Sequence, residues 1–245
     1  MFYVFPRAVP KNECRKLLKY CIKNTKFSDA SVINKGHTDS DPILSDDRAR
    51  TDPKVRKTDV GFITGKDNRV NEIAWHFLRE ANKIMFNYKL EYFQPVQFAR
   101  YRNGGHYDWH QDASGINPHG EFRKLSLTFC LTDPNDYEGG VLEFYGGNRP
   151  MEDMELPDGR KISAEQIQQD IRDQGSVIVF DSRDFHRVTP CTKGTRYSIV
   201  CWTVGPNFVY RRVIGFMFFH ELCQRKSVKI FLNIVLRIQS LEKLL

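Results

Sequence analysis

The sequence predicts a mainly β fold with flanking helices, a sandwich or jelly roll carried on helical support. Two observations predict it. Between residues 95 and 204, short β-branched and aromatic runs alternate with clusters of Gly, Pro, Asn and Asp, the texture of many strands joined by turns. Before residue 90, two stretches repeat their apolar residues at helical spacing. A length of 245 residues suits one domain of this kind with a sizeable core. With 40% hydrophobic and 27% charged residues and a mean hydropathy of -0.51, the chain has the composition of a water-soluble globule. No run reaches the roughly 18 uninterrupted apolar residues of a spanning helix, which excludes that class of membrane protein.

The elements follow in order. Residues 10–24 read as a helix, because Cys14, Leu17, Leu18, Cys21 and Ile22 share a face and Pro10 suits a helix start. Residues 25–54 are polar and rich in turn residues, and are expected to form a long loop with one short strand. Loops of such length often serve as lids, and the alternatives for the 34–53 stretch are a lid or a disordered segment. Residues 69–87 give the strongest helical pattern, with Val70, Ile73, Ala74, Phe77, Ala81, Ile84 and Met85 on one face. Strands are expected at 95–102, 106–112, 124–132, 141–146, 175–181, 186–189 and 195–204. Turn signals at Asn103-Gly104-Gly105, Asn117 to Gly120, Asp133 to Asp136 and Lys193-Gly194 separate them. A short helix fits 163–173, where Ser163 and Gln166 have capping-box spacing. There is no internal repeat and no low-complexity segment.

Charge is unevenly placed. The net charge is +7, of which residues 209–245 carry +5 and residues 1–208 only +2. The basic balance therefore belongs to the tail, and the body shows no basic stripe interleaved with aromatics of the kind that grips nucleic acid. The chain reads as a 1–208 domain, with helical support over 1–90 and a β core over about 91–205, followed by an apolar and basic 209–245 tail. That tail is expected to be a helix docked on the body or on a partner, possible routes being oligomer formation or a membrane surface. Six cysteines without a Cys-x-x-Cys pair, and an N-terminus without a secretory pattern, point to reduced thiols and a cytoplasmic setting.

The chemistry concentrates in Tyr101 to Asp112, a run dense in possible ligands. In a strand, residues two apart project to one face, so His110 and Asp112 would aim an imidazole and a carboxylate at one point. His106 and Asp108 satisfy the same pattern, and spacing alone does not choose between the pairs. His186, after the apolar run Val177 to Phe180, offers a third ligand. Two His and one carboxylate on one face of an octahedral ion leave open positions, the facial arrangement of non-haem Fe(II) oxygenases. A closed structural zinc site would call for a fourth ligand, usually sulfur, and no cysteine lies in this run. Arg196 follows His186 by ten residues, and the Lys193-Gly194 turn is expected to bring its strand back beside His186. A guanidinium there could pair with the far end of a dicarboxylate whose near end chelates the metal.

These residues resemble the Fe(II)/2-oxoglutarate dioxygenase superfamily, in its prolyl 4-hydroxylase-like branch. The matching pieces are Tyr101-x-x-Gly104-x-x-Tyr107-x-x-His110-x-Asp112, Leu125 to Leu131, Tyr137-Glu138-Gly139-Gly140-x-Leu142-x-Phe144, Gly175-Ser176-x-x-x-Phe180-x-Ser182, His186-Arg187-Val188-x-Pro190 and Gly194-Thr195-Arg196-Tyr197-Ser198, closing at Trp202. Arg196 and the phrase His-Arg-Val-x-Pro are most similar to PKHD-type hydroxylases. The resemblance implies a double-stranded β-helix of the jelly-roll, cupin-like kind. It implies Fe(II) held by His110, Asp112 and His186, and a distal 2-oxoglutarate carboxylate held by Arg196 with the Tyr101 hydroxyl, Ser198 being a further candidate. It also implies consumption of O2, release of succinate and CO2, hydroxylation of a C–H bond, and ascorbate as reductant. Residues 209–245 have no counterpart in that pattern.

Three functions compete on this reading. The first is hydroxylation of a peptidyl proline within a protein or peptide substrate. The second is the same chemistry on a small molecule or nucleic acid, since one fold hosts all of these. The third is a non-catalytic metal-binding sandwich, which has no need of His110, Asp112, His186 and Arg196 together.

Overall fold

Apolar and polar residues alternate along Leu125 to Cys130, and that alternation sets the layout of the molecule. Leu125, Leu127 and Phe129 are fully buried on one face, while Ser126, Thr128 and Cys130 occupy the other. In the computed structural model, the residues described are 2–30, 32–33, 49–50, 52–63, 68–113, 121–145, 154–155 and 161–208. The 209–245 tail and most of the 34–53 segment, expected as a lid or a disordered segment, lie outside them.

The elements run β1 (Phe2–Phe5), α1 (Lys11–Asn24), β2 (Ser28–Asp29), β3 (Val32–Ile33), β4 (Ala49–Arg50), β5 (Arg56–Lys57), β6 (Asp59–Phe62) and α2 (Arg69–Ala81). They continue with β7 (Tyr92–Phe93), β8 (Gln97–Arg102), β9 (Gly105–His110), β10 (Glu121–Cys130), β11 (Tyr137–Gly139) and β12 (Leu142–Phe144). The last are β13 (Met154–Glu155), β14 (Lys161–Ile162), α3 (Ala164–Arg172), β15 (Val177–Asp181) and β16 (His186–Pro206). The described residues within 1–148 and 168–207 form one compact unit.

Within this unit, every strand pairing is antiparallel. A larger sheet runs β1-β15-β10-β16-β8-β6-β2. A smaller one joins β5, β9, the first half of β16, and β11 and β12. The strand β16 belongs to both sheets. The apolar face of the larger sheet, with Phe98, Leu125, Leu127, Phe129, Val177, Val179 and Ile199, packs with Cys14, Leu17 and Cys21 of α1 and Val70, Ile73, Ala74 and Leu78 of α2. Each fully buried Leu or Phe contributes about 1.5–3 kcal/mol, so this helix-backed layer is the rigid wall on which the opposite face is built.

Local chemistry explains the helix limits. Pro10 opens α1 with φ -58 and ψ 146, supplying no N–H where none is needed. The Asn68 side chain accepts from Asn71 N at 2.9 Å and caps α2. Ser163 Oγ accepts from Gln166 N at 3.1 Å, as the capping-box spacing implied. The helix read over 69–87 is α only to Ala81. It closes through a π-helical turn, Asn82–Phe86, and the left-handed Asn87 at φ 52, whose N–H donates to Asn82 O at 2.7 Å.

Two expectations are corrected. The strand read as 106–112 ends at His110, so Asp112 stands outside the ladder. The reason is that its partner starts at His186, opposite His110, and pairing runs out there. Ala113 N then donates to Ser182 O at 2.8 Å, drawing the chain toward the loop before β16. The strands read as 186–189 and 195–204 are one continuous element, without a reversal at Lys193-Gly194. Gly194, at φ +69, passes so close to Asp136 O that a Cβ would collide, and this lets the ribbon bend from one sheet into the other. Short strands β1, β6 and β11 complete the sheets although their sequences carry little period-2 signal.

Candidate active site

The polar face of the larger sheet and the inner face of the smaller one enclose a chamber. It is lined by Gln97, Tyr101, Thr128, Arg196, Ser198 and Trp202 from the larger sheet and by Tyr107, His110, Leu142, His186 and Val188 from the smaller one, with Asp112 just beyond β9.

His110, Asp112 and His186 converge there, all buried, with one potential ligand atom from each lying within 4.8 Å of the others. His110 Nε2 is 3.8 Å from Asp112 Oδ1, and His186 Nε2 is 3.5 Å from Asp112 Oδ2. The opposite ring nitrogens are tied to backbone. His110 Nδ1 lies 2.7 Å from Asp108 O, and His186 Nδ1 lies 3.0 Å from Asp184 O. A carbonyl only accepts, so each Nδ1 carries a proton and each Nε2 faces the cluster. The rings are held by packing as well, His110 stacked on Tyr107 at 3.4 Å between centroids and His186 edge-on to Phe180 at 4.6 Å.

Electrostatics keeps this set ready for a cation. Burial, then the neighbouring His186, drives His110 down to about 3, so it is neutral near pH 7. Burial opposes charge on Asp112, but His186, His110, Arg123 and the Ser126 hydrogen bond outweigh it and hold the carboxyl at about 2. A neutral imidazole at His110 and an ionised carboxylate at Asp112 are forms that bind metal.

Asp112 reaches the cluster through residues that spacing did not single out. Ser126 Oγ donates to Asp112 Oδ2 at 2.6 Å and lies 2.9 Å from Ser182 Oγ. Arg123 Nη1 donates to Asp112 O at 3.3 Å, Arg123 Nε donates to Gln94 Oε1 at 2.8 Å, and its guanidinium lies over Trp202 at 4.0 Å. The signal for Ser126 was present in the alternation of β10, where a small hydroxyl sits between two buried leucines on the cavity side. His106 and Asp108 fall elsewhere. The His106 ring meets Gly104 O and Lys54 O, and Asp108 Oδ1 accepts from Trp109 N at 2.8 Å.

Arg196 reaches the same chamber by the bend of β16 rather than by a hairpin. Directly opposite Tyr101 in the β8 pairing, it is 5% exposed. Its Nη1 donates to Ser198 Oγ at 3.2 Å, and its Cζ lies 5.4 Å from the Tyr101 ring centroid. Gly140, at φ +57, leaves room for it, since a Cβ there would stand 3.0 Å from Arg196 Cδ. Among the described residues, no carboxylate pairs with this guanidinium. A buried cation without an anion is costly, so the chamber fits a ligand that brings a carboxylate. Trp202, which also lines the chamber, has a buried Nε1 donor without a hydrogen-bond partner. One wall thus offers a cation-binding set and the other an anion-binding group, the demands of a metal chelated by a dicarboxylate.

Other features agree with the sequence reading. Cys14, Cys21, Cys130, Cys191 and Cys201 are free and buried. No helix among the described residues is long and apolar enough to cross a membrane.

Comparison with known proteins matches the 2OG-Fe(II) oxygenase superfamily over residues 96–204, the stretch that contains every residue of the cluster and Arg196. A PKHD-type hydroxylase of Sphingopyxis alaskensis is 32% identical over 121 residues, 49% of this chain and 47% of that protein. One from Pseudoalteromonas atlantica is 35% identical over 112 residues, 44% of this chain and 42% of that protein. The chain thus spans less than half the length of these curated relatives. Among solved structures, a Pseudomonas putida prolyl-4-hydroxylase is similar at TM-score 0.51 and 21% identity, covering 82% of this chain and 91% of that one. A Trichoplax adhaerens prolyl hydroxylase, solved with a hypoxia inducible factor peptide fragment, gives TM-score 0.53 and 17% identity, covering 82% of each. Such likeness bears out the double-stranded β-helix fold. The matched segment, the fold and the His-Asp-His cluster together support the resemblance of residues 96–204 to the 2OG-Fe(II) oxygenase superfamily and, within it, to PKHD-type hydroxylases.

Proposed function

We propose that this chain is an Fe(II)- and 2-oxoglutarate-dependent dioxygenase that hydroxylates a C–H bond, with a peptidyl proline as its substrate. The observation that carries the reading is the pairing, in one chamber, of a buried His110-Asp112-His186 cluster with the buried and carboxylate-free guanidinium of Arg196. In this reading His110, Asp112 and His186 hold Fe(II). Arg196 receives the distal carboxylate of 2-oxoglutarate, with the Tyr101 hydroxyl as a second donor and Ser198 orienting the guanidinium at 3.2 Å. The bound metal and co-substrate supply the oxidising chemistry, with O2 consumed and succinate and CO2 released.

The chain's own residues do the rest. Asp108 O and Asp184 O fix the imidazole tautomers, Ser126 orients the carboxylate, and Phe180, Leu142, Val188 and Val200 keep the chamber apolar and limit water. Ascorbate is the reductant we assign, and residues 1–208 the domain that performs the reaction. The prolyl choice is supported by the prolyl 4-hydroxylase-like ordering of motifs from Tyr101 to Trp202 and by the fold shared with prolyl hydroxylases.

The test is incubation with Fe(II), 2-oxoglutarate and ascorbate beside proline-containing peptides, free amino acids and a single-stranded oligonucleotide. Succinate release coupled to a mass gain of one oxygen on the peptide is the expected result. Coupled oxidation of the oligonucleotide, suppressed by salt, with only uncoupled succinate release on peptides, would overturn the prolyl assignment and leave the iron and 2-oxoglutarate assignment standing.

A further inference from the structure

Outside the chamber lies a second and larger depression that the chemistry described so far does not use. It is a cleft of about 380 Å³, against about 40 Å³ for the inner chamber. Arg56, Lys57, Arg100 and Arg102 line it together with Asp29 and Asp59, so its walls carry an excess of two positive charges. The acids do not cancel the cations evenly. Asp59 is engaged at 2.8 Å by Arg100 and at 3.4 Å by Arg102. Lys57 Nζ donates to the backbone, to Asn103 O at 2.7 Å, and Arg56 Nε is buried without a hydrogen-bond partner. Neither Arg56 nor Lys57 meets a carboxylate among the described residues.

The cleft and the proposed reaction site share one lining residue, Arg56. Strand β5 pairs Arg56 with Tyr107 and Lys57 with His106 along β9, the strand that ends at His110. The Arg56 guanidinium sits over the Tyr107 ring at 4.3 Å, and Tyr107 stacks on His110. A chain lying in the cleft and reaching past Arg56 would therefore present a side chain to the chamber.

We propose that this cleft docks an acidic segment of the protein substrate, next to the residue that enters the chamber. The proposal rests on the dioxygenase reading above and adds the charge of the sequence around the target. A peptide fits better than a nucleic acid for two reasons. None of the cleft's lining residues is aromatic, so stacking platforms for bases are missing. Asp29 and Asp59 would repel a continuous row of phosphates, whereas a peptide can alternate carboxylates with backbone N–H donors.

The experiment uses the full chain loaded with Mn(II) and 2-oxoglutarate, and fluorescein-labelled peptides with one central proline flanked by Asp/Glu, by Ser/Gln or by Lys. Anisotropy should rank acidic above neutral above basic, with the acidic advantage shrinking as salt rises. Lys57→Glu with Arg102→Glu, both at exposed positions, should weaken the acidic peptide about tenfold and leave the neutral one within about twofold, given about 0.2–1 kcal/mol for each exposed charge pair and a reversal counted twice. Binding of 2-oxoglutarate, followed separately by calorimetry, should be unchanged in that variant. Equal binding of the three peptides, or an acidic preference that survives the double reversal, would overturn the docking proposal. Loss of 2-oxoglutarate binding in the wild-type protein would instead defeat the dioxygenase reading. Tighter binding of a single-stranded oligonucleotide than of the acidic peptide, abolished by the same reversal, would assign the cleft to nucleic acid and overturn the peptide.

Discussion

Replacing Arg196 by lysine tests the anion-binding half of the chamber most directly. The guanidinium is 5% exposed and donates to Ser198 Oγ, and no carboxylate among the described residues shares it. Its fork can therefore give two parallel donors to one ligand carboxylate, where lysine gives a point charge on a shorter stem. Losing one charge-assisted hydrogen bond costs about 1.5–3 kcal/mol, which is about tenfold to a hundredfold in affinity at about 1.4 kcal/mol per decade. The assay is thermal unfolding with Mn(II) in place of Fe(II), so that nothing turns over. At a 2-oxoglutarate concentration of about 100 Kd, the wild-type protein gains about 2.7 kcal/mol, or roughly 5–10 °C at about 2–4 °C per kcal/mol. A thirtyfold loss of affinity leaves only about 0.9 kcal/mol of that gain, a shift of roughly 2–3 °C. Arg196→Met sharpens the result. It removes a buried charge that has no protein counter-ion, so the ligand-free protein should melt at or above the wild-type temperature while the ligand shift disappears. A full ligand-induced shift in both variants would remove Arg196 from the co-substrate site.

Further outcomes follow from the same geometry. His110→Ala, Asp112→Ala and His186→Ala should each lose tight metal binding by calorimetry, whereas His106→Ala and Asp108→Ala, whose side chains point elsewhere, should keep it; the reverse pattern would refute the assignment of ligands. In the metal-free protein, His110 sits at about 3 in the fold against an ordinary 6.5, and Asp112 at about 2 against 3.8. The unfolded chain thus takes up protons first as pH falls, so stability should be full above about pH 6.5 and decline below it, first through His110 and then through Asp112. Denaturant midpoints measured from pH 7 to 4 check this, and a midpoint that rises on acidification contradicts it. Gly140→Ala should cost about 1–2 kcal/mol for its left-handed backbone and should also raise the KM for 2-oxoglutarate by crowding Arg196; an unchanged KM would show that the arginine yields freely.

Much of this was legible in the chain, for identifiable reasons. Leu125, Leu127 and Phe129 alternate with Ser126, Thr128 and Cys130 because one face meets helices and the other the chamber side of the sheet, so both the strand and its orientation could be read. The helices α1 and α2 bury continuous stripes, and their spacing declared them. Strand parity did not choose between His106-x-Asp108 and His110-x-Asp112, because both satisfy it; the choice depends on where β16 begins, a contact between residues far apart in sequence. Asp112 looked like a strand residue for the same reason, and it is the Ser126 hydroxyl, Arg123 and the neighbouring Ala113 N–H on Ser182 O that hold it beyond the ladder. The Lys193-Gly194 signal was real, since Gly194 does take a positive φ, yet it marks a bend between sheets instead of a reversal. Arg56 escaped notice because a two-residue strand has no periodicity to display.

That bend has a consequence for which acids the chamber can accept. His186 and Arg196 stand on one ribbon, anchored by β9 and β12 at its first residues and by β8 and β10 beyond Thr195. The backbone thus acts as a gauge block, fixing the gap between the metal cluster and the guanidinium before any side chain adjusts. A 2-oxo dicarboxylate one carbon shorter or longer than 2-oxoglutarate would meet the wrong gap, and single-residue insertions or deletions between Val188 and Gly194 should abolish acceptance of 2-oxoglutarate even with every ligand residue intact. In the proposed reading, tolerance for co-substrate length is a property of main-chain spacing, and shifting it would require moving the bend.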